Sequence, residues 1–98
     1  MLTIKEQLKQ LIGKILSDDE MTIMEVRKTL SELKELLTLP ENSNDDFCDS
    51  IGISGLEYLV IMAAIENIVK YKKGVNKYYV RSLYNLQEIL EKIYNNIQ

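Results

Sequence analysis

Apolar residues recur along this chain at steps of three and four, which is the spacing of one face of an α-helix. The clearest series are Ile4, Leu8, Leu11 and Ile15; Ile23, Val26, Leu30, Leu33 and Leu37; and Tyr79, Leu83, Leu86, Leu90, Ile93 and Ile97. No segment of useful length alternates apolar and polar residues as a half-buried strand would. The pattern therefore predicts an all-α fold in which each helix turns one side toward its neighbours.

Helix starts are marked by a serine or threonine followed three residues later by glutamate, the pattern of a capping box. It occurs at Thr3–Glu6, Thr22–Glu25 and Ser54–Glu57. We predict a single domain over residues 1–98, a four-helix bundle. Its helices are expected at about 3–16, 20–38, 54–73 and 76–96, with a long loop at 39–53.

The third predicted helix is apolar nearly all round. Eleven of the fourteen residues from Leu56 to Val69 are apolar. A helix with this composition is usually buried on most sides. We therefore expect it to occupy the centre of the bundle.

Charge is concentrated at two places near the ends of that helix. Residues 41–57 carry five acidic residues and no basic one, and residues 70–81 carry five basic residues and no acidic one. The two clusters would lie roughly 25 Å apart at 1.5 Å per residue. They are either solvated loops beside helix ends or surfaces that dock a partner. For a docking role the candidate partner-binding residues are Asp45, Asp46, Asp49, Lys70, Lys73, Lys77 and Arg81.

The composition argues against catalysis and metal binding. Histidine is absent and there is one cysteine, which removes the commonest general base, the commonest metal ligand and any Ser-His or Cys-His pair. Cys48 lies among acidic residues that suppress its thiolate, so we interpret it as a small buried apolar residue. We predict that the protein is not an enzyme, with no catalytic residues and no metal.

Location and partner class follow from hydropathy and charge. The longest run of aliphatic residues, Leu59 to Ile65, has seven residues, whereas a membrane span needs about 20. The N-terminal residues lack the apolar stretch of a signal peptide, so we expect a cytoplasmic protein. A net charge of −3 argues against nucleic-acid binding. A protein partner is the expectation that remains.

Several segments resemble those of acyl carrier proteins. "TIKEQLKQLIGKIL" (3–16) is similar to the first helix of that family, "MAAIE" (62–66) to the end of its second helix, and "LYNLQEILEKI" (83–93) to its last helix. Asp49-Ser50-Ile51 stands where the family has Asp-Ser-Leu. The stretch 20–38 is an extra amphipathic segment in place of the family's loop.

The resemblance implies a non-catalytic carrier that holds an acyl group on 4′-phosphopantetheine and docks its partner enzymes. The motif points to Ser50 as the modified residue, with Ser54 as the second choice. Aligning by "MAAIE" instead places Gly55 at the attachment position. Ser54 also has a purely structural interpretation as a helix cap.

An alternative function is a small helical interaction protein that binds a protein partner. The helix count and the long last helix resemble those of bacteriocin immunity proteins, and small phage-encoded inhibitors would share them. No motif distinguishes these possibilities. The sequence therefore leaves a carrier and an interaction protein as two open hypotheses.

Overall fold

The structure is a computed structural model that describes residues 3–17, 22–41, 45–70 and 77–97, with side chains from residue 81 onward in the last range. Five α-helices occur in these ranges. They are α1 (Ile4–Ser17), α2 (Ile23–Leu37), α3 (Asp45–Ile51), α4 (Gly55–Lys70) and α5 (Lys77–Asn96). The predicted all-α fold is confirmed.

The predicted count of four helices is wrong, because the expected long loop at 39–53 contains α3. The other four helices lie where the sequence predicted them. Residues 20–21 and 71–76, at predicted helix ends, lie outside the described residues. The fold thus has four long helices and a seven-residue helix before α4.

The three predicted capping boxes are all formed. At the start of α2, the Thr22 hydroxyl accepts the Glu25 N–H at 3.1 Å, and the Glu25 carboxylate accepts the Thr22 N–H at 3.1 Å. Thr3 with Glu6 and Ser54 with Glu57 make the same reciprocal pair. Each box satisfies backbone donors that the first turn of a helix leaves unpaired.

One hydrophobic core joins the helices. The predicted faces supply most of it, and Ile12 rather than Leu11 is the fully buried residue in the middle of α1. The buried apolar residues are Leu8, Ile12, Ile15, Leu30, Leu33, Leu37, Cys48, Ile51, Ile53, Ile61, Ala64, Ile65, Ile68, Leu86, Leu90, Ile93 and Ile97. All five helices contribute, so α3 is part of the packed structure.

Polar contacts between side chains and helix ends show that α4 runs antiparallel to α2. The Tyr58 hydroxyl, near the start of α4, donates to the Leu37 carbonyl at the end of α2 at 2.8 Å. The Arg27 Nε, near the start of α2, donates to the Ile68 carbonyl near the end of α4 at 3.2 Å. Both contacts satisfy carbonyls that a helix leaves unpaired at its last turn.

On its other side α4 packs against α5, again in antiparallel orientation. Lys92 in the last turns of α5 contacts Glu57 in the first turn of α4. α1 packs against α2 and α5, on the far side of the core. α4 is therefore one wall of the bundle, between α2 and α5.

None of the described helices is by itself long and apolar enough to cross a bilayer. α3 and α4 reach that length and apolarity only when they are taken together, and they meet at 87°.

A Schellman motif at Gly52 ends α3. The Ile53 N–H donates to the Cys48 carbonyl at 3.0 Å, and the Gly52 N–H donates to the Asp49 carbonyl at 3.2 Å. This bonding pattern requires a left-handed residue after the helix, and Gly52 has φ +82°. A Cβ at Gly52 would also lie 2.8 Å from Cγ of Asn96. Both constraints select glycine at this position.

We predict that Gly52→Ala lowers the free energy of unfolding by about 1–2 kcal/mol, because alanine is disfavoured in the left-handed region and its methyl group would displace Asn96. The midpoint of thermal unfolding is expected to fall by roughly 4 °C or more. Gly55→Ala is the matched control, since its Cβ would come no closer than 3.8 Å to Asp45. Equal stability of both variants would contradict the role assigned to Gly52.

Candidate interaction surface at the start of α4

The first half of α4 presents apolar side chains to solvent. Leu56 is 73% exposed, Leu59 is 62% exposed and Val60 is 38% exposed. Ala63 is also exposed. These four residues stand at i, i+3, i+4 and i+7 and so share one side of the helix. We call them the α4 outer face.

The expectation that this helix is central in the bundle is therefore wrong. Its opposite side, with Ile61, Ala64, Ile65 and Ile68, is buried against the bundle. The outer side has no neighbouring helix among the described residues. The first half of α4 is apolar nearly all round, and polar residues mark the exposed side only from Glu66 onward, so little in the sequence indicates that the first half is exposed there.

The outer side of α4 changes character along its length. After Ala63, the exposed positions on this side are Glu66, Asn67 and Lys70. The apolar part covers two turns, about 10 Å at 1.5 Å per residue. Single exposed apolar residues are common on protein surfaces, whereas a contiguous set on one helix face is typical of an interaction site.

Three acidic residues are exposed on α3, the short helix that leads into α4, and one of them lies next to the start of the α4 outer face. Asp45, Asp46 and Asp49 are all exposed. The Asp45 carboxylate lies 3.8 Å from the position a Cβ of Gly55 would take, next to the first residue of the outer face. No described lysine or arginine forms an ion pair with these three carboxylates. We call them the acidic rim, and they were among the residues that the sequence predicted for partner binding.

Glu57 links the start of α4 to the end of α5. Its carboxylate accepts the Ser54 N–H at 3.0 Å and the Lys92 ammonium at 3.1 Å. The Ser54 N–H, followed by Lys92, lowers the pKa of Glu57. Because the folded-state pKa is lowered, these contacts stabilise the fold above the ordinary glutamate pKa and are lost as the pH falls through the folded-state value. Glu57 is already partnered and does not belong to the acidic rim.

Cys48 is buried in the core, as the sequence predicted. Burial raises the pKa of its thiol, and the nearby carboxylates of Asp45 and Asp49 raise it further. A buried thiol with a raised pKa is a poor nucleophile. The carboxylates of Asp45 and Asp49 therefore lie close enough to the thiol to disfavour its charged form.

Ser50 lies in the last turn of α3 with an exposed side chain. Its hydroxyl donates to the Phe47 carbonyl at 2.7 Å, a local bond within the helix. The last turn of a helix carries the negative end of the helix dipole. Ser50 and the acidic rim therefore share one short helix and a negative environment.

Ser54, the second choice for modification, is the N-cap of α4. Its hydroxyl accepts the Glu57 N–H at 3.1 Å. The neighbouring residues Ile51 and Gly52 have structural roles, since Ile51 is fully buried and Gly52 ends α3. Of the stretch 49–52, only Asp49 and Ser50 present their side chains to solvent.

The predicted basic residues are only partly described. Lys70 ends α4 and Arg81 lies in α5, and both are exposed. Lys73 lies outside the described residues, and Lys77 begins α5 with a side chain that is likewise outside them. The structure thus brings the acidic candidates together on α3, and the basic candidates stay a prediction.

No convergent set of three metal-ligating side chains occurs among the described residues. The surface also contains open grooves, of which one of about 450 Å³ lies between α1 and α2. Leu11 and Leu36 line it together with Glu32 and Glu35. Its lining residues include no hydroxyl, thiol or amine side chain that Glu32 or Glu35 could activate as a nucleophile.

Sequence reasoning assigned the acidic rim to partner binding but did not include Leu56, Leu59 or Val60. The signal that could have found them is the surplus of apolar residues. One buried side of a sixteen-residue helix needs fewer apolar positions than α4 contains. The surplus was interpreted as burial on all sides.

Comparisons of the chain with protein-family models, with curated proteins and with solved structures found no match.

Proposed function

We propose that this protein is a non-catalytic interaction protein that binds a protein partner through the α4 outer face and the acidic rim. The observation that carries the proposal is the exposure of Leu56, Leu59 and Val60 on one side of α4. Immunity to a bacteriocin and inhibition of a target protein are two forms that such binding could take.

The energetics of exposed leucine support this proposal. An exposed apolar side chain contributes little to folding, while its burial in an interface is worth about 1.5–3 kcal/mol. Leu56 and Leu59 stand one turn apart, so one partner surface can cover both. Burial of these side chains by a partner would therefore stabilise the complex without any loss of folding stability.

A carrier function is the second candidate. Its support is the exposed hydroxyl of Ser50 between Asp49 and Ile51, as the resemblance to acyl carrier proteins implies. A phosphate on Ser50 would lie at the negative end of α3 and beside the acidic rim, which opposes the modification. Ser54 lies at the favourable N-terminal end of α4, but its hydroxyl caps that helix.

We predict that a photo-crosslinking residue in place of Leu59, in cells of the organism of origin, captures a discrete protein. The captured protein, identified by mass spectrometry and purified, should bind the wild type. It should bind Leu56→Gln/Leu59→Gln more than tenfold more weakly, because each lost leucine removes more than 1 kcal/mol of interface burial.

Met24 provides the matched control for that experiment, since it is 80% exposed on α2. The same crosslinker at Met24 should not capture the protein, and Met24→Gln should bind as the wild type does. The double leucine variant should also keep the wild-type unfolding midpoint, since both side chains are exposed. Unchanged binding by the double variant would contradict the proposed function.

The carrier hypothesis has its own test. The protein is coexpressed with a broad-specificity phosphopantetheinyl transferase and its intact mass is measured. A mass increase of one phosphopantetheine that disappears in Ser50→Ala, but not in Ser54→Ala, would support a carrier modified on Ser50. We expect no increase, because the negative environment of Ser50 opposes a phosphate.

A further inference from the structure

We propose that the partner contacts the α4 outer face with an amphipathic α-helix that carries lysine or arginine residues next to its apolar side. This inference rests on the proposed function and adds the chemistry of the partner. It follows from the shape of the outer face and from the charge beside it.

The shape of the surface favours a helix as the occupant. Leu56, Leu59, Val60 and Ala63 form a straight ridge along two turns of an exposed helix. Ridges of this kind pack into the grooves of a second helix at an interaxial distance of about 8–10 Å. The small side chain of Ala63 at one end lets the second helix approach closely.

The acidic rim favours a basic occupant. Asp45, Asp46 and Asp49 are exposed on α3, and none of the described cations pairs with them. Asp45 lies beside the start of the outer face. The end of a helix that reaches the start of the outer face would lie near Asp45 of α3, whose carboxylate is 3.8 Å from the Cβ position of Gly55. Lysine or arginine residues at that end would meet three carboxylates, and such complementary charge gives specificity and faster association.

A second copy of this chain fits the surface less well. The chain has a net charge of −3, and each copy would bring its own acidic rim into a small interface. Like charges at close range oppose association. Charge therefore favours a partner different from the chain itself.

Two synthetic 18-residue peptides test this inference. Both have the same leucine and alanine seam at helical spacing, and they differ only in three flanking positions that are lysine in one and glutamate in the other. Binding to ¹⁵N-labelled protein is followed by amide chemical shifts at 50 mM and 500 mM salt.

We expect the lysine peptide to bind and to shift amides of α3 and the first half of α4. Leu56→Gln/Leu59→Gln should abolish these shifts. Asp45→Asn/Asp46→Asn/Asp49→Asn should weaken binding about tenfold at low salt, since exposed ion pairs are each worth less than about 1 kcal/mol. High salt should weaken binding of the wild type and have less effect on the triple variant.

Other outcomes would overturn the inference in distinguishable ways. Equal binding of both peptides at the outer face would refute the basic partner and leave the proposed function intact. Binding of neither peptide, or shifts confined to the groove between α1 and α2, would also refute the inference, and the crosslinking experiment at Leu59 would still judge the proposed function. Concentration-dependent shifts of the outer face without peptide would assign the surface to a second copy and refute both proposals.

Discussion

The turn between α3 and α4 determines which surface this protein presents. Gly52 adopts a left-handed conformation that ends α3, and two residues later Ser54 caps α4 together with Glu57. Glu57 in turn binds Lys92 at the end of α5. These contacts hold α3 at 87° to α4. As a result, the short helix that carries three exposed carboxylates precedes two turns of exposed apolar helix, with Asp45 next to Gly55.

This arrangement separates stability from binding within one helix. The buried side of α4, with Ile61, Ile65 and Ile68, packs into the core and stabilises the fold. The exposed leucines on the other side contribute little to folding, since their apolar surface remains in water. Substitution of the buried side should unfold the protein, and substitution of the exposed side should remove only an interaction. The proposed binding role depends on that separation.

The sequence predicted the long helices because two independent signals agreed for them. Apolar steps of three and four defined the buried faces, and Thr22–Glu25 and Ser54–Glu57 marked where helices begin. α3 was missed because a seven-residue helix is marginal by itself and depends on burial of Cys48 and Ile51 and on the cap at Gly52. The available signal was the three-residue spacing between the apolar residues Cys48 and Ile51, followed directly by Gly52.

The sequence predicted less of the candidate site than of the fold. The acidic rim could be identified because it belongs to the segment 41–57, which carries five acidic residues and no basic one. The outer face was missed, since exposure depends on where neighbouring helices pack, and the first half of α4 is apolar nearly all round. Attachment of 4′-phosphopantetheine to Ser50 likewise depends on which end of a helix carries this residue. The structure places Ser50 in the last turn of α3, away from the N-terminal end that suits a phosphate.

The binding role requires that the α4 outer face is open in the isolated protein, and methyl relaxation by a soluble paramagnetic agent tests this most directly. We predict strong relaxation of the methyl groups of Leu56, Leu59 and Val60, and weak relaxation of those of Ile61 and Ile65 in the core. The measurement should not depend on protein concentration. Equal protection of the two sets would show that the outer face is already covered and would contradict the account.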